Sequence, residues 1–272
     1  MNWRWGLNII LGLILSINSS CEKEEYHVFP MVYGHAGTAL ADERAVYPPN
    51  SEHSILYALN ALDAAGTEVD VQMTKDSVLV LFHDEFIALD QKNVLTCIPE
   101  VNWEDIELHN DGKKHPIIRL SQLVTIMKTN PKKVILDLKH YNYCTEEFVN
   151  SETYNWALNN EMAELEEYKK WRFTANSRNI DLLAEIDCGE MQKAFETENI
   201  ELGIDYVNAY ELDLIVIRLS SLTEEGAILL YNANVDYGLL SVKTKKEIKA
   251  TANFKPRIII SDNIAGTKGY YN

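Results

Sequence analysis

Six side chains have the types and spacing that chemistry needs: His35, Glu68, Asp70, His83, Asp137 and Lys139. Glu68 and Asp70 lie two residues apart in "GTEVDVQMT", and Asp137 and Lys139 repeat the interval in "VILDLKH". In a β-strand residues i and i+2 share a face, so each pair projects to one side while Val69, Val71, Leu136 and Leu138 project to the other. Two strand-borne carboxylates roughly 6–7 Å apart repel and lose hydration unless something positive compensates them. Three carboxylates plus water suit a hard, oxygen-seeking dication such as Mg2+ or Ca2+, whereas zinc or copper favours imidazole or thiolate. A Lys/Asp/Glu network with no metal satisfies the same spacing. His35 and His83 each follow an apolar run, in "FPMVYGH" and "VLVLFH". An imidazole titrates near about 6.5, so a pair flanking a phosphate can share the work, one taking a proton from a nucleophile and the other protonating the leaving oxygen. A glycosidase built on paired carboxylates leaves Lys139 and the twin histidines without a task.

Short β-branched runs alternate with amphipathic or charged stretches, the signature of a parallel sheet with crossover helices. The runs "FPMVYGHAG", "TEVDVQMT", "VLVLFHD", "KKVILDLKH", "WRFTA", "DLIVIRL", "AILLYNAN" and "RIIIS" all read as strands. In "NSEHSILYALNALDAAG" the spacing of Ile55, Leu59 and Leu62 predicts a helix with Asn50 or Ser51 as N-cap and Gly66 as terminator. Helices are also expected in "LSQLVTIMK" and in "SETYNWALNNEMAELEEYKKW", where Tyr154, Leu158, Met162 and Leu165 share a face. Residues 188–212 carry the weakest pattern. Eight strand-like runs favour a single-domain TIM-type (β/α)8 barrel over an open doubly wound sheet, and put His35, His83 and the acid pairs at strand ends, where such barrels keep their chemistry.

The chain has 272 residues, and its formal net charge of −16 opposes nucleic acids and anionic membranes at long range. A phosphodiester substrate would therefore need a local positive element. The N-terminus "MNWRWGLNIILGLILSINSSC" has Arg4, an apolar run and small residues before Cys21, which is signal-peptide architecture, and the run is shorter than the about 20 residues of a membrane span. It resembles a bacterial lipoprotein processing site. We expect residues 1–20 to be a signal peptide, 21–29 a lipidated tether holding an exported protein to the membrane through Cys21, and 30–272 the barrel. Cys97, Cys144 and Cys188 show no CxxC spacing, so a structural zinc site is not indicated and one disulfide at most is possible.

"GHAG", "YPPNS" and "GTEVDVQMTKDSVLVLFHD" together resemble the glycerophosphodiester phosphodiesterase family, whose pattern runs approximately HRG, PENT, GxxxxExDVxxTKDxxxVxxHD on a TIM barrel. "LDLK" is similar to a family strand with an acid two residues before Lys, and "YNAN" and "IIISDN" are weaker echoes. The resemblance implies that Glu68, Asp70 and Asp137 hold a divalent metal, that His35 and His83 form the acid/base pair, and that Lys139 contacts the phosphate. It implies a small-molecule or lipid phosphodiester as substrate, attack on phosphorus by a hydroxyl of that substrate, and a cyclic phosphate then opened by water. No obligate protein partner is implied.

Two positions depart from the pattern. Ala36 stands where the family has Arg, and Pro49 where it has Glu. Removing a donor from a transferring phosphoryl group typically costs about 10²–10³ in rate. Arg44, Lys75 or Arg119 could compensate for the missing Arg, and Glu52 or His53 lies just beyond the altered PENT motif. The alternative is a weakened or inactive barrel lipoprotein that binds phosphorylated glycans or lipids. Asp84 either orients His83 or caps a turn. Asp262 and Asn234 are further pocket candidates, Tyr231 is expected to line the barrel, and His27, His109, His115 and His140 are read as structural or surface residues.

Overall fold

The computed structural model describes residues 29–40, 45–89, 95–187 and 189–272. The predicted signal peptide, Cys21 and most of the tether, with His27, Arg44 and Cys188, lie outside these residues. β1 (Met31–Gly34) leads to α1 (Glu52–Leu56), which runs on into a π turn (Tyr57–Ala61) and then β2 (Gly66–Met73). β3 (Leu79–Leu81) folds back on β2, and β4 (Phe86–Ala88) pairs with β5 (Leu95–Cys97) ahead of α2 (Trp103–Asn110) and α3 (Leu120–Met127). β6 (Lys133–Leu138) is followed by a small ribbon, β7 (Tyr141–Asn142) with β8 (Glu147–Phe148), and by α4 (Ser151–Met162) and α5 (Glu167–Lys170). β9 (Phe173–Ser177), α6 (Ile180–Glu185), β10 (Gln192–Glu196), α7 (Ile200–Tyr210), β11 (Leu214–Arg218) and α8 (Glu224–Asn232) continue the alternation. β12 (Tyr237–Val242), α9 (Lys245–Thr251), β13 (Ile258–Ser261) and α10 (Ile264–Tyr271) complete it.

Eight strands, in the order β1, β2, β6, β9, β10, β11, β12, β13, pair in parallel and close when β13 meets β1. This is the predicted TIM-type barrel. The strand alternation divides its core in two. Val69, Val71, Leu136 and Leu138 join the layer between sheet and helices, where the Tyr154 hydroxyl of α4 donates to the Val71 carbonyl at 2.8 Å. Tyr33, Ile135, Ala194, Leu214, Val216, Leu240, Ile258 and Ile260 fill the barrel itself. Register then sets the layer above them, because Asp70 pairs with Asp137 and Asp137 with Asn176.

Several elements differ from the sequence reading. "VLVLFHD" supplies β3, which is antiparallel to β2 and outside the barrel ring. "AILLYNAN" belongs mainly to α8: the Thr223 hydroxyl accepts from the Gly226 N–H to cap the helix, and Leu230 is buried. Its exposed Ile228, Leu229 and Tyr231 made the run look like a buried strand. The two strands that complete the ring are β10, in the weakly patterned segment, and β12, whose Gly238 and Ser241 interrupt the β-branched pattern. Gly66 opens β2 instead of ending a helix, and it must be glycine because an added Cβ would lie 2.6 Å from the Lys133 carbonyl oxygen. Ser51 is the N-cap of α1, which leaves Asn50 for another task.

A disulfide joins Cys97, at the end of β5, to Cys144, in the β7–β8 ribbon, across 47 residues of sequence. It ties together two accessory hairpins of the barrel mouth. Closing a loop of that length stabilises a fold by about 2–4 kcal/mol, and in a chain of this size each kcal/mol moves Tm by roughly 2–4 °C. A Cys97→Ser/Cys144→Ser double variant is therefore expected to melt at least about 4 °C below the oxidised protein in a thermal scan. Equal melting temperatures would remove the bridge from the account of stability.

Candidate active site

The turn after β1 supplies the first groups. Ala36 adopts a left-handed conformation (φ 48°), which aims its N–H at Glu68 Oε2, 2.9 Å away. Its carbonyl accepts from the Asn50 N–H at 2.9 Å. The Asn50 side chain then clamps Asp70 from both directions: Nδ2 donates to Asp70 Oδ2 (2.8 Å) and Oδ1 accepts from the Asp70 N–H (3.0 Å). His35 Nδ1 lies 2.8 Å from Asp262 Oδ1, a carboxylate that also accepts from the Leu40 N–H, while Nε2 is 3.9 Å from Glu68 Oε2. With Nδ1 engaged by Asp262, Nε2 is the nitrogen presented beside the acids.

Glu68, Asp70 and Asp137 each offer an oxygen within 4.8 Å of the other two. Lys139 Nζ contacts Asp70 (2.7 Å) and Asp137 (2.5 Å), and Asn176 Nδ2 donates to Asp137 Oδ1 (3.2 Å). Glu68 receives no such ammonium. Burial, followed by the charge of Asp70, pushes its carboxyl up to about 8. Burial works against ionising Asp70 as well, but Lys139 and His83 outweigh it and hold that carboxyl below its usual range. For His35 burial favours the neutral ring, yet Asp262, Glu68 and Asp70 together raise its pKa.

His83 sits at the rim with 42% of its side chain exposed, and its Nδ1 is 3.0 Å from Asp84 Oδ1. Gln72 fixes this turn by donating to the carbonyls of both Phe82 (2.7 Å) and Asp84 (2.8 Å). Both histidines, the three acids and Lys139 line one cavity of about 340 Å³ at the C-terminal mouth of the barrel.

Sequence comparison adds the deciding observation. The model of the glycerophosphoryl diester phosphodiesterase family matches residues 43–199, more than half of the chain. The chain belongs to this family. No curated protein matches the sequence. Among solved structures, a phosphodiesterase of Oleispira antarctica in complex with the product sn-glycerol-3-phosphate superposes with a TM-score of 0.71 at 14% identity, covering 88% of this chain and 96% of that one. Glycerophosphodiester phosphodiesterases of Parabacteroides distasonis (TM-score 0.70, 16% identity, 89% and 97% covered) and Thermotoga maritima (0.68, 17%, 89% and 98%) share the fold.

In this family member the six residues singled out by spacing converge on one cavity, and Asp262 joins them through His35. Asn234 and Tyr231 do not: Tyr231 is 80% exposed on α8 and Asn234 follows that helix. His140 lines the cavity mouth because the strand ends at Leu138, beyond which alternation no longer sets direction. Ala36 is fully buried behind Glu68, and Pro49 lines a separate cleft. Neither Lys75, Arg119, Glu52 nor His53 reaches the cavity, and Arg119 instead stacks over Trp103. Besides Lys139, the cations that line it are Arg178 and Arg218, which are not among the residues singled out from the sequence. The signal was available, since Arg218 closes β11 and Arg178 directly follows β9.

The raised Glu68 and His35 groups set a sign for stability against pH. Without a bound cation Glu68 holds its proton in the fold up to about pH 8 but releases it near 4.5 when unfolded. The stability this provides is complete below about 4.5 and is withdrawn as pH rises to about 8, with His35 acting in the same direction. In chelator, Tm is expected to fall across this window for the native protein and to stay flatter for Glu68→Gln. Parallel profiles in a calorimetric scan would refute that assignment.

Proposed function

We propose that the protein is a metal-dependent phosphoric diester hydrolase that cleaves a glycerophosphodiester or a related polyol or lipid phosphodiester. The observation that carries this reading is the convergence of Glu68, Asp70 and Asp137 beside His35, His83 and Lys139 in one cavity. The donor set fits a hard dication. It is all oxygen, and the proton pushed onto Glu68 marks a position where buried negative charge lacks a compensating cation. Glu68, Asp70 and Asp137 would hold Mg2+ or Ca2+, which when bound supplies positive charge to the phosphoryl oxygens.

The chain's own residues do the rest. Lys139 neutralises charge on the phosphate. Asp262 and Asp84 hold the Nδ1 atoms of His35 and His83, leaving the two Nε2 atoms to exchange protons. One imidazole accepts the proton of a neighbouring substrate hydroxyl as that oxygen attacks phosphorus, and the other protonates the departing alkoxide. Water then opens the cyclic phosphate with the same pair in reversed roles. A second cavity of about 530 Å³ shares His83, Lys139, Tyr141 and Tyr143 with the first and adds Phe86 and Leu95, a surface suited to an apolar part of the substrate.

The second reading, a barrel that binds phosphorylated glycans or lipids without turnover, takes its support from Ala36. The Ala36 backbone holds Glu68, but its side chain offers no cation. We also assign the protein to the exported face of a bacterial membrane, anchored by lipid on Cys21. The Cys97–Cys144 bridge supports an oxidising compartment, although no helix among the described residues is long and apolar enough to cross a membrane.

Hydrolysis of glycerophosphoglycerol is expected to vanish in EDTA and return with Mg2+ or Ca2+. His83→Ala should lower kcat by about 10²–10⁴, and Asp137→Asn should weaken metal binding measured by calorimetry. Undiminished turnover in chelator would overturn the metal role, and binding without turnover would favour the second reading. Radiolabelled palmitate is expected to enter the native protein but not Cys21→Ser, and equal labelling of both would refute the anchor.

A further inference from the structure

The cavity has a second charged wall that the proposed chemistry does not use. In the closed ring β11 is the fourth strand from β2, and so stands opposite the strand that carries Glu68 and Asp70. Arg218 ends β11, Arg178 follows β9, and Glu196 ends β10 between them. All three line the cavity.

Arg178 is a fixed cation. Its Nε and Nη2 both engage Glu196 Oε1, at 2.9 and 2.5 Å, and Glu196 is buried with its other oxygen 3.3 Å from Asn176 Nδ2. Nη1 has no hydrogen-bond partner among the described residues, and the side chain remains 47% exposed. Arg218 is less neutralised: its Nη1 lies 3.3 Å from Ser241 Oγ, and Glu198 approaches Nε only to 4.0 Å. Ser241 is itself unusual, because it holds a left-handed conformation (φ 65°) inside β12 where the register with β13 shifts between Leu239 and Val242. A bulge of this kind re-aims a side chain, and non-glycine residues keep such a conformation where the surroundings enforce it, often at functional sites. Here the bulge brings Ser241 to the cavity wall beside Arg218.

Arg218 faces β2 across the cavity, and Arg178 follows β9, the strand next to β6; two such oriented guanidinium groups match an acceptor-rich anion. In a chain of net charge −16 both place positive charge in the one cavity. We infer that Arg178 and Arg218, with Ser241, form a second anion subsite, so that the substrate carries a phosphate or carboxylate on its head group beyond the scissile phosphodiester. This rests on the phosphodiesterase reading and narrows its substrate class. A choline-type cation brings no acceptor to these donors, and an uncharged glycerol leaves Nη1 of Arg178 and the partly exposed guanidinium of Arg218 without an anionic ligand.

The test compares four substrates on the mature, Mg2+-loaded protein: glycerophosphocholine, glycerophosphoglycerol, glycerophosphoserine and bis(glycerophospho)glycerol. The last two separate a carboxylate from a second phosphate. A tenfold or greater preference in kcat/KM for at least one of them over glycerophosphoglycerol is expected. Arg218→Gln should erase about tenfold to a hundredfold of that preference through KM, the range of one charge-assisted contact, and Arg218→Lys should restore part of it. Equal kcat/KM across the four, or an equal loss on all four in Arg218→Gln, overturns the subsite. Should none be turned over, the hydrolase reading fails and calorimetry with bis(glycerophospho)glycerol still decides. Binding tenfold tighter than glycerophosphoglycerol and weakened in Arg218→Gln upholds the subsite, and indistinguishable affinities overturn it.

Discussion

Repulsion among three inward carboxylates is the constraint around which the barrel mouth is arranged. Parallel register places Asp70 beside Asp137, and alternation puts Glu68 one pleat away on the same face. Ionised carboxylates in a buried site are costly unless paired or hydrogen-bonded. Most of the polar contacts nearby answer that cost. Lys139 bridges Asp70 and Asp137, Asn50 saturates Asp70, Asn176 supports Asp137, and the Ala36 amide serves Glu68. Glu68 remains the acid without a full cationic partner. It is the point where a dication would contribute most.

The same arrangement gives a strongly acidic chain a local site for the anionic ligand proposed above. Long-range repulsion from a net charge of −16 decays over about 8 Å in physiological salt, whereas Lys139, Arg178 and Arg218 line the cavity itself. Affinity would then come from local, oriented donors instead of steering. Apolar residues fill the barrel below this layer, so the charges face a low-dielectric floor. Each contact is stronger there than it would be on an open surface.

Legibility in the sequence followed periodicity. The acid pairs could be read because β2 and β6 are regular strands whose outward residues are Val and Leu. His35, His83 and Asp262 could be read because each follows such a run. Where regularity stops, so does the inference. His140 lies beyond the end of β6, Ser241 sits on a bulge, and β10 presents Lys193 and Glu196 in place of an apolar alternation. The run "AILLYNAN" was misread because its capping residue, Thr223, precedes it by four positions and three of its large apolar residues face outward. Arg178 and Arg218 satisfy the strand-end rule, but the family resemblance is strongest in the first half of the chain and marks neither. Pairing Cys97 with Cys144 needed the two hairpins in space, since spacing alone does not select among cysteines.

Ala36 and Pro49 show why a departure from a family pattern has to be judged atom by atom. At position 36 the site relies on the backbone: a left-handed turn delivers the N–H to Glu68, and the carbonyl receives the Asn50 amide. Alanine can supply both, at some conformational cost, because residue 36 uses only its backbone in each. Pro49 likewise points to a separate cleft, while its neighbour Asn50 does the holding. Relative to the family pattern, Ala36 lacks the side-chain cation that an Arg would carry. Arg178 and Arg218 provide cationic charge on the cavity wall. Under the proposed function, positive charge on β9 and β11 instead of β1 keeps Glu68, Asp70, Asp137 and Lys139 together while changing which part of a ligand would be gripped. Acids on β2 and β6 with cations on β9 and β11 then correspond, under the function proposed above, to altered recognition, and the buried Glu196 fixes one of those cations in place.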